Sequence, residues 1–338
     1  MLLFADPCGS FYATTTQALS GLYASLSASI ATSGLPSGNV GPTAFQNLGN
    51  AVITVPDTSG PYFYGFRFIA TEALEFAQLA IFQDPSGNPQ VTFTLNANGT
   101  ISAYRGSFEG ALLGTSSTSG VVISNVWCYI ELGCTCDPVN GTVDIRINGT
   151  SVLNFTGQNT QGAGDTQIGQ IRNLGGNVSN FLQDFYICNS TGDYNTSFLG
   201  DCHISVYNPT SNGTYTAYSP NGATELYECV NATTPTDGTV FASDSNPGDK
   251  MSVNLAPSSV AGTIAGVIVV GRAEKTDSGT RTASLLALNG GNEVDGANIA
   301  LGTSYAYYTE VLETDPATGL PFTNNGFDTL QIGIETVS

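Results

Sequence analysis

Carboxylates, a single histidine and seven cysteines are the side chains of this sequence with reactive chemistry to offer. Sugar cleavage needs two carboxyl groups held ~5–10 Å apart, which one strand supplies from alternate positions, as in E-x-D-x-E. That pattern is absent, and the nearest acidic pair, Glu72 and Glu75 in TEALEFAQ, has the wrong spacing and is typical of a solvated edge. The carboxylates therefore do not predict a glycosidase.

The histidine, His203, is the only imidazole that can serve as a general base. It follows Cys202 in a strand-like segment, where a structural role is more common than a catalytic Cys–His pair. The motifs G-x-S-x-G and H-E-x-x-H and a phosphate-binding loop are also absent. We therefore predict no catalytic residue, no cofactor, no metal and no enzymatic activity.

The cysteines are candidates for disulfide bonds. They are Cys8, Cys128, Cys134, Cys136, Cys188, Cys202 and Cys229. Because their number is odd, at least one is free or bonded to another chain. Cys188 and Cys202 flank a loop and form a candidate pair, whereas Cys134 and Cys136 would face the same way on an extended segment and can meet different partners. Small buried apolar residues are an equally good interpretation of any one of them, and C-x-C spacing with one histidine disfavours zinc.

Carbohydrate binding without cleavage would use aromatic faces with acidic or amide groups on loops, and Ca²⁺ held by Asp and backbone oxygens. The aromatic candidates are Tyr62, Tyr64, Tyr305, Tyr307 and Tyr308, and the cation candidates are Asp137 and Asp165. Each is more commonly a cross-strand packing residue or a turn residue. No set of them converges in sequence, so glycan binding stands as an alternative.

The elements that must position these groups are β-strands, and the strand pattern is clearest in the stretch Trp127–Gly157. Apolar and polar side chains alternate over Val143–Ile147, which is the period of a half-buried strand. Asn148-Gly149 suits the two positive φ angles of a type I′ turn, so we expect the chain to reverse there into a hairpin. Both faces of the preceding strand, which starts at Trp127, carry apolar side chains and are expected to be covered.

Short strands between turn residues predict an all-β sandwich. The predicted strands are Ala51–Val55, Tyr62–Ile69, Leu79–Gln83, Gln90–Leu95, Thr100–Tyr104, Val121–Ile123, Trp127–Leu132, Thr166–Arg172 and Phe181–Cys188, with the central hairpin. Thr14–Ser33 has apolar residues at helical spacing and predicts a short helix, although Ser and Thr are poor helix formers. Turn-forming residues over Pro209–Pro220 predict a domain boundary.

A second β unit is predicted after this boundary. Its strands are Lys250–Leu255, Gly262–Lys275, Arg281–Leu288, Tyr305–Glu313 and Leu330–Val337. The turn KTDSGT is expected to join Gly262–Lys275 and Arg281–Leu288 into one long hairpin. The apolar run Ala261–Val270 is too short to span a bilayer, which takes ~20 residues, and is interpreted as a buried strand.

A Trp-led strand, a loop, a strand ending in Asn-Gly and a return strand resemble the concanavalin A-like or laminin G-like jelly roll. Gln183–Gly192 looks like the strand near the end of that domain, and with Leu199–Gly213 the chain is similar to tailed-bacteriophage virion proteins in which a lectin-like domain precedes a second β domain. The expected fold is all-β, with a concanavalin A-like jelly-roll sandwich at 1–208 and a smaller β domain at 209–338. The motifs of this resemblance carry no catalytic residue.

The net charge of the chain argues against some classes of binding partner. The chain has 8 Lys and Arg against 27 Asp and Glu, a formal net charge of −19, and no basic stripe with interleaved aromatics. Such a surface repels phosphate, which argues against nucleic acid. No apolar run reaches the length of a membrane span and the N-terminus lacks a basic signal-peptide region, so no membrane partner or export is predicted.

The residues and the resemblance together predict a non-enzymatic structural protein of a tailed-phage virion, which decorates or cements the outer surface of the head. The expected partners are other virion proteins and further copies of the chain, with a trimer implied by the resemblance alone. The expected location is the virion surface, and the host cytoplasm during assembly. The alternative is an adhesin on the tail or fibre that binds host-surface glycans.

Overall fold

The computed structural model describes residues 1–12, 14–162, 164–175, 179–258 and 262–338. The chain divides into two compact units. Unit 1 comprises Met1–Ser10, Thr14–Leu19 and Tyr23–Ser205, and unit 2 comprises Phe11–Ala13, Ser20–Leu22 and Val206–Ser338. The sequence places the boundary after residue 208, and the structure divides the chain between Ser205 and Val206.

Unit 1 is built almost entirely of antiparallel strands. They are β1 (Leu2–Asp6), β2 (Ser25–Ala31), β3 (Ala44–Thr58), β4 (Tyr62–Ala70), β5 (Ala77–Gln83), β6 (Pro89–Leu95), β7 (Ile101–Arg105), β8 (Ala111–Thr115), β9 (Cys128–Thr135), β10 (Gly141–Ile147), β11 (Thr150–Gln158), β12 (Ile168–Asn173) and β13 (Asn180–Asn189), with a short helix α1 (Thr15–Leu19). The strand order is β11-β10-β9-β4-β13-β3-β12-β5-β6-β7-β8, with β1 beside β13 and β2 beside β3.

The long strand β3 folds this order into a sandwich. Its first residues pair with β13 and its last residues pair with β12, so β3 belongs to both halves of the sheet. Side chains of the two halves meet in the core, where Asn173 Nδ2 on β12 donates to the Tyr64 hydroxyl on β4 at 2.6 Å. The ring of Phe185 on β13 packs edge-on against Phe45 on β3, with centroids 5.7 Å apart.

Turn chemistry positions these strands as the sequence predicts. Asn148 and Gly149 have φ angles of 50° and 76°, the two positive values that a type I′ turn requires. Ile147 therefore pairs with Thr150, and β10 and β11 form the expected hairpin. The turns before β6 and β7 contain Gly87 and Gly99, both at positive φ.

Two of the predicted elements in unit 1 are wrong. The helix predicted over Thr14–Ser33 exists only as α1, and Ser25–Ala31 forms β2 beside β3. Ser and Thr gain little from a helix, so pairing with β3 outweighs the helical spacing. The strand predicted at Val121–Ile123 is a loop, in which the Val122 N–H donates to the Gly99 carbonyl at 3.0 Å.

Unit 2 is a smaller β unit. Its elements are β14 (Pro209–Thr216), β15 (Ser219–Asn221), a 3₁₀ turn (Tyr227–Cys229), β16 (Phe241–Ser243), β17 (Lys250–Leu255), β18 (Val267–Ala273), β19 (Thr282–Asn289), β20 (Asn292–Asp295), β21 (Ile299–Ala300), β22 (Ala306–Leu312), α2 (Asn324–Asp328) and β23 (Gln331–Thr336). Its largest sheet has the order β14-β17-β23-β19-β20, and β18 pairs with β22 in a separate two-stranded sheet.

The long hairpin predicted in unit 2 is wrong. β18 pairs with β22 along its whole length, and β19 pairs with β23 and β20. An added Cβ at Gly271 of β18 would lie 2.6 Å from the Leu285 side chain of β19, so the two strands stack face to face. Both strands contribute to one apolar cluster, in which Val269 and Leu285 are buried. Ala261, the first residue of the predicted apolar run, lies outside the described residues.

The predicted fold class is confirmed. The chain is all-β, with a jelly-roll-like sandwich of antiparallel strands followed by a smaller β unit. Its described helices, α1 and α2, have five residues each.

Candidate functional site

The tyrosines proposed as sugar-binding aromatics are packing residues. Tyr62, Tyr64 and Tyr307 are buried. Tyr308 packs against the apolar cluster of unit 2, and the half-buried Tyr305 lies 5.7 Å from the Arg272 guanidinium. The structure does not bring these rings together into one site.

The acidic candidates are turn and surface residues. Asp137 Oδ1 accepts hydrogen bonds from the Val139 and Asn140 amides at 2.7 and 2.6 Å, and these bonds lower the pKa of its carboxyl group. Asp165 Oδ1 accepts from the Gln167 amide at 3.0 Å. Each carboxylate closes its own turn, as expected for Asp in a loop.

All seven cysteines are free in the structure, so the candidate pair Cys188 and Cys202 is not bonded in it. Six are buried, and Cys202 is half-buried. Burial raises the pKa of Cys136 to about 12 and raises that of Cys134 as well. Because both sulfurs are buried, this loop presents no accessible thiol to a neighbouring chain.

The outer face of β4, β9 and β13 is sealed by residues 190–205, which we call the covering segment. It has no regular secondary structure. Glu131 on β9 is 0% exposed beneath it, and its Oε1 accepts from the Tyr186 hydroxyl at 2.5 Å and the Gly200 amide at 2.8 Å. The ring of Phe198 packs on Phe63, with centroids 4.7 Å apart.

Charged pairs fasten the same segment. Asp184 sits at a bulge of β13 with φ 54°, and its Oδ1 accepts from the Ile204 amide at 3.0 Å. Its Oδ2 lies 3.3 Å from His203 Nδ1, and this contact raises the pKa of the histidine. Arg67 pairs with Asp201 and lies 4.0 Å from Asp184. His203 thus helps to hold the covering segment against β13.

Cys202 beside His203 is poorly suited to nucleophilic chemistry. Burial and the nearby carboxylates of Glu131, Asp201 and Asp184 raise its thiol pKa to about 12. A reactive cysteine needs a lowered pKa, because the thiolate is the nucleophile. The sealed cluster holds the segment in place and offers no activated nucleophile.

A different outer face, formed by β12, β5, β6, β7 and β8, is polar. The register aligns one row of side chains across four strands: Gln78, Thr94, Ser102 and Thr115. A second row holds Arg172, Ile81, Thr92, Tyr104 and Leu112. We call these residues, with Gln170, the polar face.

Hydrogen bonds order much of the polar face. Ser102 Oγ lies 2.8 Å from Thr115 Oγ1 and accepts from Asn96 Nδ2 at 2.8 Å. Thr92 Oγ1 donates to the Gly106 carbonyl at 2.6 Å. Thr94 is 0% exposed, and its hydroxyl has no hydrogen-bond partner among the described residues. An unsatisfied buried hydroxyl costs about 1–3 kcal/mol.

Two exposed phenylalanines pack against each other beside the strands of the polar face. Phe108 lies in the turn between β7 and β8, and Phe76 directly precedes β5. Its ring lies 5.6 Å from that of Phe108, centroid to centroid, with the planes tilted by 52°. The residues are 41% and 36% exposed, an unusual state for such large apolar side chains.

Arg172 lies in the second row of the polar face, beside Ile81 of β5. Its Nε donates to Asn50 Oδ1 at 2.5 Å, and Asn50 Nδ2 donates to Ser25 Oγ at 2.7 Å. The guanidinium is thus held by neutral groups.

Three carboxylates in unit 2, on Glu293, Asp295 and Glu335, lie close enough together to hold a cation. Lys250 Nζ lies 3.1 Å from Glu335 and 3.7 Å from Asp295, and it also pairs with Glu293. These carboxylates raise the lysine pKa. The ammonium group therefore supplies the charge that a metal would bring, and the cluster ties β17, β20 and β23 together.

Sequence reasoning predicted β5, β6, β7 and β12 but missed β8 and the polar face itself. The alternation of Gln90, Thr92 and Thr94 with Val91, Phe93 and Leu95 was the available signal. The pairing of Phe76 with Phe108 has no local signal, because 32 positions separate them in the sequence.

Comparison with known proteins gives only structural similarity. No family model and no curated protein matches the chain. A galectin of Caenorhabditis elegans aligns at 13% identity and TM-score 0.30, over 40% of this chain and 89% of its own. A carbohydrate-binding module of Bacillus subtilis aligns at 9% and 0.31, over 46% and 91%. An alginate lyase in complex with an alginate trisaccharide aligns at 11% and 0.31, over 44% and 81%.

At these TM-scores the three proteins carry no argument about ligand or activity here, and the function must be argued from the residues of the chain itself. Among the described residues, no helix has both the length and the apolar character needed to cross a bilayer.

Proposed function

We propose that this protein binds glycans without cleaving them, through the polar face and the Phe76–Phe108 pair, as an adhesin of a tailed-phage particle. The observation that carries the glycan proposal is the exposed ring pair at the edge of a face rich in hydroxyl and amide groups. The phage setting rests on the resemblance of the sequence alone. This role is the alternative among the sequence predictions.

A sugar ring offers apolar C–H groups on its faces and hydroxyls around its rim. Exposed aromatic rings bind the C–H faces, and convergent polar side chains bind the hydroxyl groups. Phe76 and Phe108 supply the rings, while Gln78, Tyr104 and Gln170 are half-buried and supply accessible polar groups. The two kinds of group therefore lie on one surface, as a glycan site requires.

The absence of cleavage in this proposal is supported by the side chains of the polar face. The polar face itself carries hydroxyl, amide and guanidinium groups in its aligned rows and no carboxylate pair. A binding function without an acid and base fits this composition.

The test is a glycan array probed with the whole chain and with the variants Phe76→Ala and Phe108→Ala. Each variant is expected to weaken binding roughly 10-fold, because a lost aromatic contact costs ~1.5 kcal/mol. Phe76→Tyr keeps the ring and should retain binding. Leu320→Ala, at a 60% exposed position in unit 2, is the control for loss of an exposed apolar side chain.

Two results would contradict this proposal. The wild-type chain binding no glycan would overturn the function. Binding that survives in the double variant Phe76→Ala/Phe108→Ala would overturn the site. Circular dichroism of each variant checks that the sandwich remains folded.

A second candidate function, decoration of the head surface, is favoured by the edge strand β11. Its nine residues, TSVLNFTGQ, contain no charged side chain, and much of the strand is exposed. An uncharged edge can pair with another chain, since charges are the usual protection against such pairing. Repeated weak contacts of this kind would give avidity on a lattice.

Self-association and copy number separate this role from the adhesin. If β11 mediates lattice contacts, Thr156→Lys should lower the oligomer mass measured by sedimentation equilibrium. Hundreds of copies per particle would support decoration, whereas a few dozen would favour the tail adhesin. A wild-type chain that stays monomeric at high concentration contradicts the edge-pairing role.

A further inference from the structure

Positive charge is scarce in this protein, so the partners of each cation are informative. The ion pairs of the described residues engage Arg67, Arg146, Lys250, Arg272 and Arg281. Arg105, Arg172 and Lys275 have no carboxylate within 4.0 Å in the described part of the chain, although the protein carries 27 acidic residues. Of these three, Arg172 is the one that lies in the aligned rows of the polar face. The chain leaves this guanidinium without a counter-charge of its own.

Hydrogen bonds orient the guanidinium group of Arg172 without using its two terminal nitrogens. Asn50 holds Nε at 2.5 Å and is itself held by Ser25 at 2.7 Å, which fixes the plane of the guanidinium. Within the described residues, neither Nη1 nor Nη2 has a protein acceptor. Arginine presents its N–H groups as a planar fork, which matches the two oxygens of a carboxylate.

We propose that Arg172 binds the carboxylate of an acidic sugar, which assigns the polar face to acidic oligosaccharides; this inference rests on the glycan-binding function proposed above. A carboxylate accepts two parallel hydrogen bonds from Nη1 and Nη2. The neutral Asn50 positions the guanidinium without offsetting its charge, so the ligand supplies the counter-charge.

The phenylalanine pair takes an uncharged sugar. Glu75 precedes Phe76 and Glu109 follows Phe108, and both glutamates are exposed. Like charges repel there, so a neutral ring packs on the phenylalanines. Four residues, Ala77–Ala80 of β5, lie between Phe76 and Ile81, the neighbour of Arg172, a span of about 16 Å of extended chain. The ligand is therefore an oligosaccharide with a neutral end and an acidic end.

The net charge of −19 selects against a dense polyanion. At physiological ionic strength the Debye length is about 8 Å, so distant carboxylates of the protein are screened while Arg172 acts at contact. A continuous polyanion would run past Glu75 and Glu109 and be repelled. A neutral glycan with one terminal carboxylate avoids this repulsion.

The experiment measures binding of a neutral oligosaccharide that ends in one uronic acid, of the same compound with its carboxyl group reduced to an alcohol, and of its sulfate analogue. Wild-type protein is expected to bind the acid about 10- to 100-fold more tightly than the alcohol, as a charged hydrogen-bonded pair implies. Arg172→Gln should remove this preference and leave the affinity for the alcohol unchanged.

Matched variants make the result specific. Arg172→Lys keeps the charge but loses the fork, and should keep only part of the preference. Asn50→Ala should weaken binding of the acid alone, since it frees the guanidinium. Arg105→Gln, at another half-buried arginine of the same sheet, is the control and should change nothing. Tighter binding of the sulfate than of the carboxylate would overturn the assignment to carboxylates.

Failures of the two proposals are distinguishable. If acid and alcohol bind equally and Phe76→Ala weakens both, the glycan function stands and the role of Arg172 is overturned. If neither compound nor any array glycan binds, both proposals are overturned. An unchanged melting temperature for Arg172→Gln shows that loss of binding comes from the ligand contact.

Discussion

Arg67 and Arg172 lie on two different outer faces of unit 1 and are held in opposite ways. Arg67 pairs with Asp201 and approaches Asp184 to 4.0 Å beneath a covering segment. Arg172 is held by the amide of Asn50 and has no carboxylate partner among the described residues. A guanidinium neutralised by its own chain serves the fold, whereas one fixed by neutral groups remains available to an external anion.

The largest expected change in the free energy of unfolding comes from removing the buried acceptor, Glu131, beneath the covering segment. Glu131→Ala leaves the Tyr186 hydroxyl and the Gly200 amide without their acceptor and should lower the free energy of unfolding by about 3 kcal/mol. Urea unfolding followed by fluorescence of Trp127, the single tryptophan, reports on unit 1 directly.

Glu131→Gln is the matched control, because it keeps one oxygen acceptor and removes a buried charge. It should cost less than half of the loss seen for Glu131→Ala. Equal losses for the two variants would show that the negative charge itself, and not the acceptor, holds the covering segment. An unstructured variant of either kind would give no cooperative transition in Trp127 fluorescence.

Arg67→Gln should lower the free energy of unfolding by about 2 kcal/mol, since it leaves the buried Asp184 with a weaker partner. Glycan affinity should not change. If this variant loses glycan binding as strongly as Arg172→Gln, the contrast between the two faces is wrong. Titration of both variants with the same acidic oligosaccharide decides the matter.

A smaller effect is expected from pH on the stability of the covering segment. The carboxylate of Asp184 raises the pKa of His203, while Arg67 and Asp201 act on it in opposite directions. The stabilisation that the charged His203 gives through Asp184 is complete below the ordinary histidine pKa of about 6.5. It is lost as pH rises through the raised pKa of His203 in the folded protein. Amide exchange in residues 190–205 should therefore quicken, beyond the intrinsic pH effect, as that pKa is passed.

His203→Gln provides the control for this pH dependence. The variant should exchange at intrinsically corrected rates that do not vary across the same pH range. Amides of β6, which lies outside the covering segment, serve as the internal reference. A pH step that persists in the variant would assign the effect to a different group.

The smallest change in the free energy of unfolding is expected in the polar face. Arg172→Gln removes a half-buried side chain whose only hydrogen-bond partner among the described residues is Asn50, and should change the free energy of unfolding by less than about 0.5 kcal/mol. A loss above about 2 kcal/mol would give Arg172 a structural role like that of Arg67. The same urea titration compares the two arginines.

Sequence reasoning located the strands where local chemistry decides them. The Asn148-Gly149 turn and the alternation in Val143–Ile147 act within a few residues, and the hairpin formed as expected. It failed over Ser25–Ala31, where pairing with β3 overrides helical spacing. It also failed for β18, whose partner β22 is distant in sequence.

The candidate sites were harder to predict because long-range pairing creates them. Asn50 and Arg172 are separated by 121 intervening residues and meet because β3 pairs with β12. The bulge at Asp184 turns its carboxylate toward His203, and bulges leave no clear sequence signal. Tyr62, Tyr64 and Tyr307, three of the five tyrosines suggested for sugar binding, are buried because aromatic residues also pack well in strands.

The pairing of β1 with β13 has a consequence for biosynthesis. Leu2 is aligned with Cys188 and Phe4 with Ile187, so the first strand finds its neighbour only after nearly all of unit 1 has left the ribosome. At about 5–20 residues per second, β1 waits roughly 10 to 40 s with its apolar side chains exposed. The sheet of unit 1 can therefore be completed only after β13 has been synthesised.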